Sequence, residues 1–118
     1  MARSGSSPAW VAAAIEASTA ALEGFDLERA RETLSAALRR APTHAELVAA
    51  WVALCADCLG DDAAALDAGR RLGPRDLDVA TRSRLLAAAA RGGALDDGAR
   101  WAGSLDPSQA PDELGAWL

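Results

Sequence analysis

Thr43-His44-Ala45-Glu46-Leu47-Val48-Ala49-Ala50-Trp51-Val52-Ala53-Leu54-Cys55-Ala56-Asp57-Cys58-Leu59 is the stretch whose reading decides the fold. Thr43 stands three residues ahead of Glu46, the spacing at which threonine and glutamate close a capping box over the free amides of a helix start. Leu47, Val48, Trp51, Val52, Leu54, Cys55, Cys58 and Leu59 follow, and Gly60 ends the run. At about 3.6 residues per turn these side chains cover most of the cylinder instead of one stripe. A helix apolar nearly all round is covered on several sides, so the flanking chain is expected to pack around this one.

The flanks supply the helices. Ser7-Pro8 predicts a start, with Ser as cap and Pro at the first helical position. Trp10, Val11, Ala14, Ile15, Ala17, Ser18, Ala21 and Leu22 then make an inner face that Gly24 closes. Asp26 caps a second helix, with Phe25 placed to staple against Ala30. Leu27, Ala30, Leu34, Ala37, Leu38 and Ala41 form its stripe up to Pro42. Past Gly60, Asp61 caps a fourth helix with Ala64, Ala65, Leu66, Ala68 and Leu72 inward, closed by Gly73-Pro74. Asp76 or Asp78 starts a fifth, running to Gly92-Gly93, and a sixth covers about Leu95 to Leu105. Pro111 opens a short terminal helix whose Leu114, Trp117 and Leu118 share a face.

Composition agrees with an all-α chain. Of 118 residues about a quarter are alanine, and Tyr, Asn and Lys are absent. Alanine and leucine favour helix, while the β-branched and aromatic residues that favour strands are scarce. All twelve basic residues are arginine, which matches a GC-rich, bacterial-type coding bias. A net charge of −5 disfavours broad attraction to nucleic acid or anionic lipid. Arg39-Arg40 and Arg70-Arg71 fall at predicted helix ends, where they complement the helix dipole. Residues 1–7 read as a flexible N-terminus ahead of one domain spanning 8–118, and no stretch is long enough to cross a membrane. The expected location is the cytoplasm.

The punctuation repeats. Gly60, Leu72 and Pro74 recur thirty-three residues later as Gly93, Leu105 and Pro107, and Gly24, Leu38 and Pro42 take the corresponding places one unit earlier, with a second helix longer by two residues and a four-residue step to the proline. A period in the low thirties, with two helices per unit, marks a helical-hairpin solenoid. In these residues the chain resembles the tetratricopeptide repeat family. Ala30-x3-Leu34, Ala37-Leu38 and Pro42 fit the second half of that motif in spacing, with Leu where the family prefers an aromatic. Trp51-x2-Leu54 fits the first half, with Cys55 and Cys58 in place of small and aromatic residues. The third unit keeps only its Gly and Pro marks. The resemblance implies antiparallel helix pairs stacked as a short right-handed solenoid of about three repeats, with a C-terminal capping helix.

Residues that could do chemistry are few. Cys55-Ala-Asp-Cys58 suggests zinc or redox work, yet a structural zinc site needs four ligands. The chain has two cysteines and one histidine, His44, about three helical turns away. A redox thiol belongs at a helix N-terminus, and these lie near a C-terminus, so core packing is their expected role. No constellation for nucleophilic or acid–base catalysis emerges, and Asp61-Asp62 and Asp96-Asp97 read as capping acids. The expectation is no enzyme, no metal and no cofactor. Trp51 is expected in the core. Trp10, Trp101 and Trp117 lie toward the ends, to plug them or to anchor a partner.

The resemblance implies a non-catalytic adaptor that binds a helix or peptide of another protein in the groove lined by the first helix of each pair. The third helix would present Leu47, Ala50, Leu54, Asp57 and Cys58, and the fifth Ser83, Ala87, Ala90 and Arg91. Trp101 and Trp117 complete the expected partner-binding set. Many relatives clamp a peptide carboxylate with Lys and Asn, which this chain lacks. The mainly apolar lining suits an amphipathic helix. The rival reading is a structural homodimer built on the apolar helix faces. Nucleic acid and membrane are not expected partners, since candidate recognition helices such as Ala63 to Leu72 begin with acids.

Overall fold

Aspartates and left-handed residues divide the chain where the sequence changes from apolar period to turn. The computed structural model describes residues 8–106, and every regular element among them is helical. They are α1 (Ala9–Glu23), α2 (Leu27–Arg40), α3 (Ala45–Ala53), α4 (Asp62–Gly69), α5 (Val79–Gly92) and α6 (Leu95–Ala102). A π-helical turn, Leu54–Leu59, continues α3, and a short 3-10 turn, Pro74–Asp76, precedes α5. The terminal helix expected from Pro111 lies outside the described residues.

Three aspartates cap helices through their side chains. Asp26 accepts from the Arg29 amide, Asp61 from the Ala64 amide and Asp78 from the Thr81 amide, at 3.0, 3.1 and 2.9 Å. Asp78, not Asp76, therefore starts α5. Hydrogen bonding from Thr81, helped by Arg84 and Arg82, holds the Asp78 carboxyl below its ordinary range. The capping box expected from Thr43 and Glu46 does not form. His44 occupies the N-cap of α3 and its side chain makes no capping bond, because the helix begins one residue later than that box requires. Pro8 is likewise the N-cap of α1 and not its first helical residue.

The turn between α1 and α2 corrects the sequence reading. Gly24 keeps an ordinary φ of −88°, and Phe25 takes the left-handed conformation, φ 61°. The amide of the next residue, Asp26, donates back to the Ala21 carbonyl at 2.8 Å, as the Ala94 amide donates to the Ala89 carbonyl at 2.9 Å beyond left-handed Gly93. Phe25 is 91% exposed, so it staples nothing to Ala30. Among the described residues the positive-φ positions are thus Phe25, Gly60 and Gly93, each followed by the N-cap of the next helix.

One apolar cluster runs through the described residues, centred on Val11, Leu34, Leu47, Val52, Leu85 and Trp101. Trp101 is fully buried, whereas Trp51, expected at the centre, is half-buried against the cluster's edge. Successive helices pack on each other along the chain, and α3 also touches both α1 and α5. α4 and α5 approach so closely that a Cβ at Gly69 would lie 2.7 Å from Leu85 Cδ2. The molecule measures 39 × 37 × 22 Å, and the thin dimension is about two helix diameters. Three Arg–Asp bridges tie the α3–α4 region to α5 and α6. They join Arg84 to Asp57 at 2.9 Å, Arg91 to Asp62 at 2.7 Å and Arg70 to Asp97 at 3.0 Å. No described helix is long and apolar enough to cross a membrane.

Candidate functional site

The π-helical turn is where local structure begins to shape a site. The Asp61 amide reaches back six residues to the Cys55 carbonyl, at 2.9 Å, one residue further than the equivalent bond after Phe25 or Gly93. A π turn holds one residue more than an α turn, and such widenings are frequent at functional sites. The extra residue falls in the segment that presents Asp57 and Cys58.

Asp57 and Cys58, with Leu54, Ala50 and Ala53, form one wall of a cavity of about 280 Å³. Ile15, Ser18, Thr19 and Leu22 of α1 form the other, with Leu34 of α2 at its base. The α1 wall is less polar than its sequence. The Ser18 and Thr19 hydroxyls both donate to the Ile15 carbonyl, at 2.8 and 3.0 Å, so each is satisfied within its own helix. The lining is apolar apart from Asp57, which Arg84 holds from α5.

The expected partner-binding residues divide. Ala50, Leu54, Asp57 and Cys58 come together in this cavity, although Leu54 is almost wholly covered. Leu47 has no exposed surface and belongs to the core, because its face of α3 turns inward. Trp101 is fully buried too, so its ring is not offered to a partner. Arg91 lies exposed on α5 and binds Asp62 of α4 through two nitrogens. Trp117 lies outside the described residues. The α1 wall was legible as an inner face, but its pairing with α3 across a gap was not, since sequence periodicity states which side is apolar and not how closely it is covered.

The cysteines occupy different environments. Cys55 is buried and Cys58 exposed. Burial, with the nearby Asp61 charge adding, pushes the Cys55 thiol up to about 12, the opposite of an activated nucleophile. Among the described residues no three His, Cys, Asp or Glu side chains converge as metal ligands would. His44 Nδ1 and Trp101 Nε1 are buried without a hydrogen-bond partner, and they lie on different elements.

A second hollow, of about 340 Å³, opens beside Trp51 between α2, α3 and α4. Arg39 and Arg71, the outer members of the two arginine pairs, both line it. The inner members are engaged elsewhere. Arg40 stacks on the Trp10 ring at 4.0 Å, and Arg70 forks onto Asp97, which raises the arginine's already high pKa. Comparison with protein-family models, with curated proteins and with solved structures finds no match.

Proposed function

We propose that this chain is a non-catalytic adaptor whose helix pairs stack as a short right-handed solenoid, and that it holds a helix or peptide of a partner protein in the groove between α1 and α3. The cavity lined by Ile15, Leu22, Ala50, Leu54, Asp57 and Cys58 carries this reading. At about 280 Å³, with a mainly apolar lining, it suits apolar side chains projecting from a helix. Three features support the stacking. The thickness of 22 Å is that of two helix layers, and α3 touches the first helix of the pair on either side. The left-handed positions at residues 25, 60 and 93 each stand directly before the N-cap of the next helix.

Ala50→Arg tests the reading. Ala50 is half-buried on the cavity wall, so a long side chain there fills the groove and leaves the core intact. An adaptor is a monomer by light scattering at all concentrations. It retains a stoichiometric protein from the extract of its source cell, and Ala50→Arg loses that protein without a change in melting temperature. A concentration-independent dimer that Ala50→Arg dissociates would replace the adaptor by the homodimer. Equal retention by parent and variant would remove the groove from the function.

A further inference from the structure

We infer that the hollow beside Trp51 is a second peptide-binding site, distinct from the α1–α3 groove, which takes an acidic segment of a partner protein. Its floor is the half-buried Trp51 ring with Leu38, and its rim is Arg39, Arg71, Asp67 and Ser35. The charge on that rim does not balance. Arg71 bonds Asp67 at 3.0 Å, whereas Arg39 donates to the Ser35 hydroxyl, a neutral acceptor, at 3.1 Å. Two guanidinium groups therefore face one carboxylate in a chain whose net charge is −5. A carboxylate entering between Arg39 and Arg71 meets forked donors suited to its geometry. An apolar side chain next to it meets the exposed part of Trp51, a residue type enriched where partners anchor.

The shape favours a peptide over a compact small molecule. A neighbouring hollow of about 430 Å³ shares Ser35 and Arg39 with this one and continues along α2 past Ala36, Glu32 and the Arg31–Glu28 ion pair, so the acid of the peptide belongs at the Arg39–Arg71 end and a neutral stretch on this path. An extended chain can leave the Trp51 hollow by that path, with its acid on the two arginines. The arrangement also explains the division between the arginine pairs. Arg40 and Arg70 are engaged by Trp10 and Asp97, which leaves Arg39 and Arg71 as the members of the two pairs that line the hollow.

The test is calorimetric titration of the full chain with the synthetic peptide acetyl-Ala-Glu-Leu-Glu-Ala-amide, beside the same peptide carrying lysine for glutamate. Saturable binding of the glutamate peptide alone is expected, weakening as salt rises. The pair R39Q and R71Q together should weaken it at least tenfold, and R39E with R71E should reverse the preference toward the lysine peptide. Both arginines are exposed, so R39Q with R71Q keeps the fold, whereas R39E with R71E sets acids near two helix C-termini and beside Asp67, lowers the melting temperature by a few degrees, and is titrated below that temperature. Ala50→Arg, on the other groove, should bind the glutamate peptide as the parent does, which separates this site from the adaptor groove. The proposal is overturned if the parent shows no binding at millimolar peptide, or if it binds both peptides equally. It is also overturned if R39Q with R71Q binds as tightly as the parent.

Discussion

Phe25 holds a φ of 61° that costs a side-chain-bearing residue roughly 1–2 kcal/mol, and with 91% of its surface exposed it recovers little by burial. Phe25→Gly should remove that strain at the smaller entropic cost of a glycine, about 0.5–1 kcal/mol. A net gain of about 0.5–1 kcal/mol in urea unfolding is expected, and a loss would show that the ring itself holds the turn. Gly69 presents the opposite case. Alanine there gains about 1 kcal/mol of helix propensity, but its Cβ meets both Leu85 methyl carbons at 2.7 and 2.8 Å. Leu85 is fully buried and cannot swing aside, and overpacking of that kind costs about 1–3 kcal/mol. Gly69→Ala should therefore lower stability by about 1 kcal/mol, and a rise would mean that α4 and α5 have room to part. The cysteines give a pH dependence. A thiol raised from 9.0 to about 12 in the fold keeps its proton after the unfolded chain has lost it, so its contribution is present below pH 9 and declines from there toward pH 12. Melting temperature should fall across that window, with a shallower fall in Cys55→Ala, and a thiol reagent at pH 8 should label Cys58 alone in the native protein. Equal slopes for parent and variant would assign the fall to other groups.

Helix starts show what each element gains from its cap. Ala94, at the N-cap of α6, has φ −83° and ψ 86° and no side-chain bond. Asp26 and Asp61 sit in nearly the same conformation, at −102°, 78° and −103°, 79°, and both cap. Ala94→Ser should supply the missing acceptor to the first turn of α6 for about 0.5–1 kcal/mol, raising the melting temperature by a few degrees. No rise would mean that the α6 amides already have partners in solution. These starts were the legible part of the fold, because an aspartate before an apolar period acts through its neighbours alone. Asp26, Asp61 and Asp78 all cap where the sequence places a start. The turn at Phe25 was not read, since propensity assigns left-handed backbone to the adjacent glycine. Aligning Asp26 with Asp61 would have put Phe25 opposite Gly60 and revealed it. The burial of the tryptophans was also misjudged. A 3.6-residue period shows that Trp51 faces inward, while the depth of cover depends on α2 and α4, whose side chains beside it are Arg39, Ala64 and Arg71. Of the candidate groove, Ala50, Leu54, Asp57 and Cys58 were legible, and the π turn that carries the last two was not, because no residue in Leu54–Leu59 encodes a π turn by itself.

At the scale of the molecule, the contacts between successive groups of described helices differ in kind. Among the described residues, the bridges Asp57–Arg84, Asp62–Arg91 and Arg70–Asp97 fall between the α3–α4 region and α5 and α6. Apolar packing of α1 and α2 on α3 makes the other joint. Two of the bridges are open to water and contribute little. Arg70–Asp97 differs, since the Asp97 side chain is only 12% exposed and accepts from both Arg70 Nε and Nη2. Beside it Arg100 of α6 donates to the Leu72 carbonyl beyond α4, so this corner couples the last two pairs. Asp97→Asn keeps the shape of the side chain and removes its charge, for a loss of about 1–2 kcal/mol. Where the loss appears distinguishes two architectures. In a stack whose units contact only their neighbours, stability is a sum of unit and joint terms, and the amides of α5 and α6 should exchange roughly 5–30-fold faster while those of α1 and α2 hold their rates. In a domain that opens only as a whole, every slow amide speeds up by the same factor. Hydrogen exchange on Asp97→Asn, resolved by helix, reads the difference directly, and a uniform acceleration would remove the stacked-repeat architecture from the proposed function.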